Sequence, residues 1–120
     1  MEIYIRITSD DDGYVGWWTF DPLGESYLVD GRALWTTSKF TGEEYTRGTA
    51  CKNIVQAKRE AKIARDTAGH DGIVDPKVSF WRKVGSKYVE TKFTSDNKLR
   101  PIAKPVVLKD KDVFEPYSNG

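Results

Sequence analysis

Residues Tyr45–His70, YTRGTACKNIVQAKREAKIARDTAGH, decide the fold, because no other stretch is both long enough and patterned well enough to be a helix. At about 100° per residue, Ala50, Ile54, Ala57, Ala61, Ala64 and Ala68 fall into one stripe. A stripe of small residues lets a helix axis lie close to a sheet whose larger side chains fill the gap. Cys51 and Val55 are expected to widen the stripe, and Ile63 falls on the opposite face, exposed or covered by the C-terminal segment. Thr46 and Thr49 are candidate N-caps, since their hydroxyls can accept from the first free N–H groups. Gly69 is a natural stop. The spacing predicts a helix over about 47–68. Its remaining surface is basic, with Lys52, Lys58, Arg59, Lys62 and Arg65 beside Glu60 and Asp66. Such a face either solvates the helix or meets phosphates.

Outward from the helix, the chain reads as strands and turns. MEIYIRIT (1–8) alternates, with Ile3, Ile5 and Ile7 on one side and Tyr4 and Arg6 on the other, the pattern of a half-buried strand. SDDDG (9–13) is a turn, and YVGWWTF (14–20) is a second strand closing a hairpin. Trp17 and Trp18 are neighbours on it and point to opposite faces, so one of them is expected outside the core. Asp30–Gly31 between apolar runs predicts a second hairpin, Tyr27–Val29 against Arg32–Thr37. KVSFWRKVGSKYVETKF (77–93) reads as a third, closed at Gly85–Ser86. A two-residue turn there puts Val78, Phe80, Arg82, Val89, Thr91 and Phe93 on one face and Trp81, Lys83, Tyr88, Glu90 and Lys92 on the other. The first face suits a core against the helix. The second reads as an aromatic surface ringed by lysine. Residues 95–120 hold three of the five prolines and form a proline-containing tail, with Val106–Leu108 available as a short edge strand.

Composition narrows the function. The 120 residues fit one domain, with residues 1–94 its body. A net charge of +1 argues against a strongly basic nucleic-acid binder and against an acidic DNA mimic. The charge is uneven: residues 1–46 carry nine acids and three bases, whereas residues 47–120 carry nine acids and sixteen bases. Such a dipole orients encounters with charged partners. The single cysteine excludes an internal disulfide framework. No signal peptide and no spanning apolar run is visible, so the expected location is cytoplasmic.

Parts for catalysis are few. Cys51 and His70 are the only residues of their kinds. A thiol near a helix start would be activated by the dipole, although a cysteine bordering an apolar stripe is ordinarily core filler. His70 reads as a surface or capping residue. Asp10–Asp12, with Asp30 or Glu43–Glu44, lack the alternating ligand spacing of a calcium loop. No glycine-rich phosphate loop occurs, and neither a metal nor a cofactor is expected.

Trp18-Thr19-Phe20, Asp30-Gly31-Arg32-Ala33-Leu34, Ser38, Tyr45-Thr46, and Ala50 with Ile54 together resemble the repeat of the YegP-like family of small bacterial and archaeal proteins. The likeness spans residues 14–65. It implies this architecture and admits a homodimer, and it brings no biochemical activity with it.

The expected fold is α+β, an antiparallel sheet of five or six strands packed by one central helix, followed by an extended tail. The expected function is non-catalytic binding of a macromolecule through the aromatic-basic face of the third hairpin. Trp81 and Tyr88 would stack or anchor while Lys83, Lys87 and Lys92 supply charge, with Lys52, Arg59 and Lys62 as a second basic face. Single-stranded nucleic acid and a protein partner are the two candidate ligands. A protein–protein adaptor or inhibitor is the alternative, and an enzyme using Cys51 or a carboxylate pair is the third.

Overall fold

The helix begins later than its stripe suggests. In the computed structural model, which describes residues 1–85, 87–94, 96, 98–101, 107–108 and 112–113, α1 spans Ile54–His70. Residues 47–51 spend their backbone groups elsewhere. Arg47 N–H donates to Leu34 O (2.7 Å), Thr49 N–H to Trp18 O (3.1 Å), and Cys51 exchanges both backbone bonds with Ile3. A segment whose N–H groups are already bonded across the molecule cannot also start a helix. The cap is therefore Asn53, not Thr46 or Thr49. Its side chain accepts from Gln56 N–H at 2.8 Å, while Gln56 Oε1 accepts from Lys52 N–H at 2.7 Å. The far end runs through Gly69 to the Asp71 cap, and the left-handed glycine is Gly72 (φ 89°).

Among the described residues, ten strands accompany this helix: β1 (Tyr4–Thr8), β2 (Val15–Phe20), β3 (Ser26–Asp30), β4 (Trp35–Thr37), β5 (Glu44–Thr46), β6 (Lys77–Val84), β7 (Lys87–Phe93), β8 (Leu99–Pro101), β9 (Val107–Leu108) and β10 (Asp112–Val113). The fold is α+β, as expected. Five antiparallel strands make the main sheet in the order β3-β2-β1-β6-β7, and β8 and β9 both pair with β7 along its outer edge. The anticipated edge strand within 106–108 is thus found at Val107–Leu108. In the 95–120 segment β8, β9 and β10 are paired backbone, and most of the rest of that tail lies outside the described residues. A second, small sheet has the order β10-β4-β5.

The Asp30–Gly31 hairpin does not form. β3 pairs with β2 instead, and the chain leaves the main sheet at Gly31 to build the small sheet. Gly31 is required at that exit. Its φ is 143°, and a Cβ there would run into the Arg47 side chain.

Two cores result, one on each side of the main sheet. On the helix side, Ile3, Ile5, Ile7, Trp18 and Phe20 pack against Cys51, Ile54, Ala57, Ala61, Ala64 and Ala68. Val55 does not join them and is 66% exposed, because it lies about 100° round the helix from Ile54, away from Ala57 and Ala61. Ile63 is also exposed. On the opposite side, Tyr4, Trp17, Trp81 and Tyr88 pack against Ala33, Leu34 and Trp35. β1 is therefore covered on both faces at Tyr4 and Ile5, not half-buried, and Trp17 and Trp18 are both fully buried, each in its own core.

Candidate functional site

The third hairpin forms in the expected register. Val84 pairs with Lys87, Lys83 with Tyr88, Arg82 with Val89, Trp81 with Glu90 and Phe80 with Thr91. Alternation along these strands then sorts the side chains onto two faces, and the two faces have different fates.

The Trp81–Tyr88 face is closed. Both rings are only 2% exposed, so neither can stack a base or anchor a partner. Trp17 sits edge-on to Trp81 (6.1 Å) and to Tyr88 (5.6 Å), and Trp35 packs on Tyr88 at 5.0 Å from the other layer. Edge-to-face pairs of this kind add about 0.5–1.5 kcal/mol each beyond area burial. The covering segment is held down by Arg47, whose backbone binds Leu34 and whose buried guanidinium donates to Ala33 O at 2.7 Å. Lys83 braces the rim. Its ammonium lies 4.3 Å from the Trp35 ring centre and 3.9 Å from Glu44. Lys87 is exposed near the tip of the hairpin, and Lys92 is exposed toward its other end. The five expected site residues are thus not brought together as one ligand surface.

The Phe80–Phe93 face is only partly covered. The reason is width. A helix is about 10 Å across and strands lie about 4.8 Å apart, so one helix cannot shield the whole width of a five-stranded sheet. Here α1 packs on β1, β3 and β6, which leaves a groove beside β7. The groove has a volume of about 510 Å3, and its floor is built from Val78, Phe80, Thr91 and Phe93. Phe80 and Phe93 are half-buried, with ring centres 4.4 Å apart. Lys58 reaches over from the helix, 5.8 Å from the Phe93 ring centre. Lys62 and Arg65 follow at i+4 and i+7, share its flank and are exposed. Glu90 and Lys92 complete the rim on the hairpin side.

The second basic face is likewise divided. Lys52 precedes the helix and lies 3.9 Å from Glu2, Arg59 is on the outer face, and Lys62 shares the helix flank of Lys58. On the opposite flank Glu60 accepts from the Trp18 indole at 2.9 Å, which fixes the rotation of the helix over the sheet. The expectation of a core face against the helix holds in part, since Val78, Phe80 and Phe93 pack half-buried against the helix-side core, and only their outer surfaces are left open. The signal for that incomplete cover is arithmetic, since one narrow helix cannot cover five strands.

The remaining chemical candidates are dispersed. Cys51 is fully buried, and its thiol is pushed up to about 12, chiefly by burial, with the Glu60 charge adding and Arg59 opposing. His70 is exposed at the last helical position. Among the described residues, no three His, Cys, Asp or Glu side chains are grouped to hold a metal ion, and no helix is long and apolar enough to cross a membrane. Comparison with known proteins returns no matching family model, curated protein or solved structure, so the site is read from its own residues.

Proposed function

We propose that this chain is a small non-catalytic binding module that takes single-stranded nucleic acid in the groove between α1 and the β6–β7 hairpin. The observation that carries the reading is an aromatic floor under a basic flank. Phe80 and Phe93 offer ring surface to bases, Lys58 reaches over the groove, and Lys62 and Arg65 continue its helix flank as exposed cations for a phosphate backbone. All the groove residues fall within 58–94, in the half of the chain that carries the excess of bases. The acidic half contributes none and would repel the strand from other orientations. Three cations facing phosphates predict a log–log salt slope of about −2 for a single strand. A cytoplasmic location accords with one unpaired, buried cysteine.

The test is anisotropy of a labelled oligo-dT of about ten nucleotides, a length typical of such sites, at low and moderate salt. Lys58→Glu should lower affinity about tenfold and flatten the salt slope by about one. Phe93→Ala should weaken binding by a similar factor through lost stacking. Absence of binding at low salt, or equal binding by both variants, would overturn the proposal.

One observation favours a protein partner instead. β3 is an end strand of the main sheet with no neighbour on its outer side among the described residues, and Tyr27 on it is half-exposed. An extended segment of a partner, or of a second copy, could add there by backbone pairing.

A further inference from the structure

The two outer edges of the main sheet meet different fates. β8 and β9 pair along β7, so the chain's own C-terminal segment closes that edge. β3 has no neighbour on its outer side among the described residues. Gly31 N–H donates to Val15 O and Asp21 N–H to Glu25 O, both at 3.1 Å, so the odd-numbered residues along β3 turn their backbone groups to β2. Antiparallel alternation then points the N–H and C=O of Ser26, Leu28 and Asp30 outward. None of these groups has a backbone partner among the described residues. Open edges are ordinarily blunted by lysine, proline or a bulge. Residues 25–31, ESYLVDG, hold neither lysine nor proline, and the register with β2 runs unbroken from Ser26 to Asp30. Val29 stands opposite Trp17, so Glu25, Tyr27 and Val29 share the Trp17 face, where Tyr27 is 50% exposed. Glu25 is exposed at one end of the edge. Arg32 is exposed beyond the other end, beside the same cavity as Arg6, which lies over the Trp17 ring. Neither is in an ion pair among the described residues.

An edge with an acid at its start and a base past its end is complementary to itself when two copies run antiparallel. We propose that β3 is a dimerisation edge, pairing with β3 of a second copy about a two-fold axis at Leu28 and joining the two main sheets into one. In that register Ser26 meets Asp30 of the second copy, and every outward N–H finds a carbonyl. Tyr27 meets Val29 of the second copy at a position without backbone bonds, where side chains approach most closely. Glu25 meets Gly31 of the second copy, with Arg32 of that copy beside it on the same face. The proposal deepens the protein-partner reading of the β3 edge by naming the partner. It shares no residue with the nucleic-acid groove, which stands or falls apart from it.

Sedimentation equilibrium of the full chain tests this, in about 0.15 M salt, where charges more than about 8 Å apart are screened. One strand edge is a small interface, so the mass should rise from 13.6 kDa toward twice that value across the micromolar range. Ser26→Pro removes an outward donor that the β2–β3 ladder does not use, and edge strands tolerate proline at such positions. It should weaken association about tenfold or more, with the melting temperature of dilute protein unchanged. Glu25→Arg and Arg32→Glu each turn the symmetry-related attractive pairs into repulsive ones, and each should weaken association about tenfold. The double reversal should restore it. Lys58→Glu should associate as the wild type does. A chain still monomeric at about 500 µM, a concentration that would reveal even weak pairing, would leave the edge to a foreign strand and overturn the proposal. Wild-type association in Ser26→Pro, or a double reversal no better than the single ones, would overturn it too.

Discussion

The two faces of the β6–β7 hairpin carry similar chemistry, aromatic rings among lysines, but meet opposite surroundings. Trp81 and Tyr88 are walled in by Trp17 and by the Ala33–Trp35 segment. Phe80 and Phe93 lie beside a helix too narrow to cover them. The richer aromatic face is the structural one, and the poorer face is the one left open. Availability is set by what the rest of the chain lays over a face, and residue type alone does not reveal that.

The largest effect should follow a break on the closed face. Trp81→Ala removes the ring that packs on both Trp17 and Tyr88, and should cost about 3–5 kcal/mol of stability in a urea titration. At the same covering layer, Gly31→Ala should cost about 2 kcal/mol, because alanine must adopt φ 143° and push against Arg47. If either variant unfolded at the wild-type midpoint, the closed face would not be a core.

On the open face the order of effects is reversed. Lys58→Glu should cost no more than about 1 kcal/mol of stability, the scale of its exposed contact with Phe93, while shifting oligonucleotide affinity about tenfold. A stability loss without an affinity loss would make the groove a structural feature like its counterpart.

Cys51 sharpens the comparison from the helix-side core. Its thiol titrates higher folded than unfolded, from about 9.0 to about 12. The unfolded chain therefore releases that proton first, and stability should fall as pH rises above about 9, by at most about 1.4 kcal/mol per pH unit from this group. Tyr4 and Tyr14 are also raised by burial and act in the same direction above their ordinary value of 10.0. Cys51→Ala should remove the onset near pH 9 and leave the later fall. A thiol reagent should label folded protein only at the rate of opening.

Much of this fold was legible from local pattern. The Ile3-Ile5-Ile7 alternation, the alanine stripe and the Gly85 turn each depend on near neighbours, and each formed as the spacing required. What escaped was decided by distant bonds. Residues 47–51 have helical spacing but are drawn into extended pairing by Ile3, Trp18 and Leu34. Asp30–Gly31 has the chemistry of a hairpin turn, but β3 found β2, and Gly31 became the exit to a second layer that nothing in the 77–93 sequence announces. That layer removed Trp81 and Tyr88 from the candidate site, and the helix's limited width put Phe80 and Phe93 in their place.

The most direct test is amide and side-chain chemical-shift mapping of the full chain with oligo-dT at low salt. Perturbations should concentrate on Lys58, Phe80, Thr91 and Phe93, with Trp81 and Tyr88 unmoved. Shifts centred on the Trp81–Tyr88 face, or no shifts at saturating oligonucleotide, would contradict the claim that the open face of the hairpin is the binding surface.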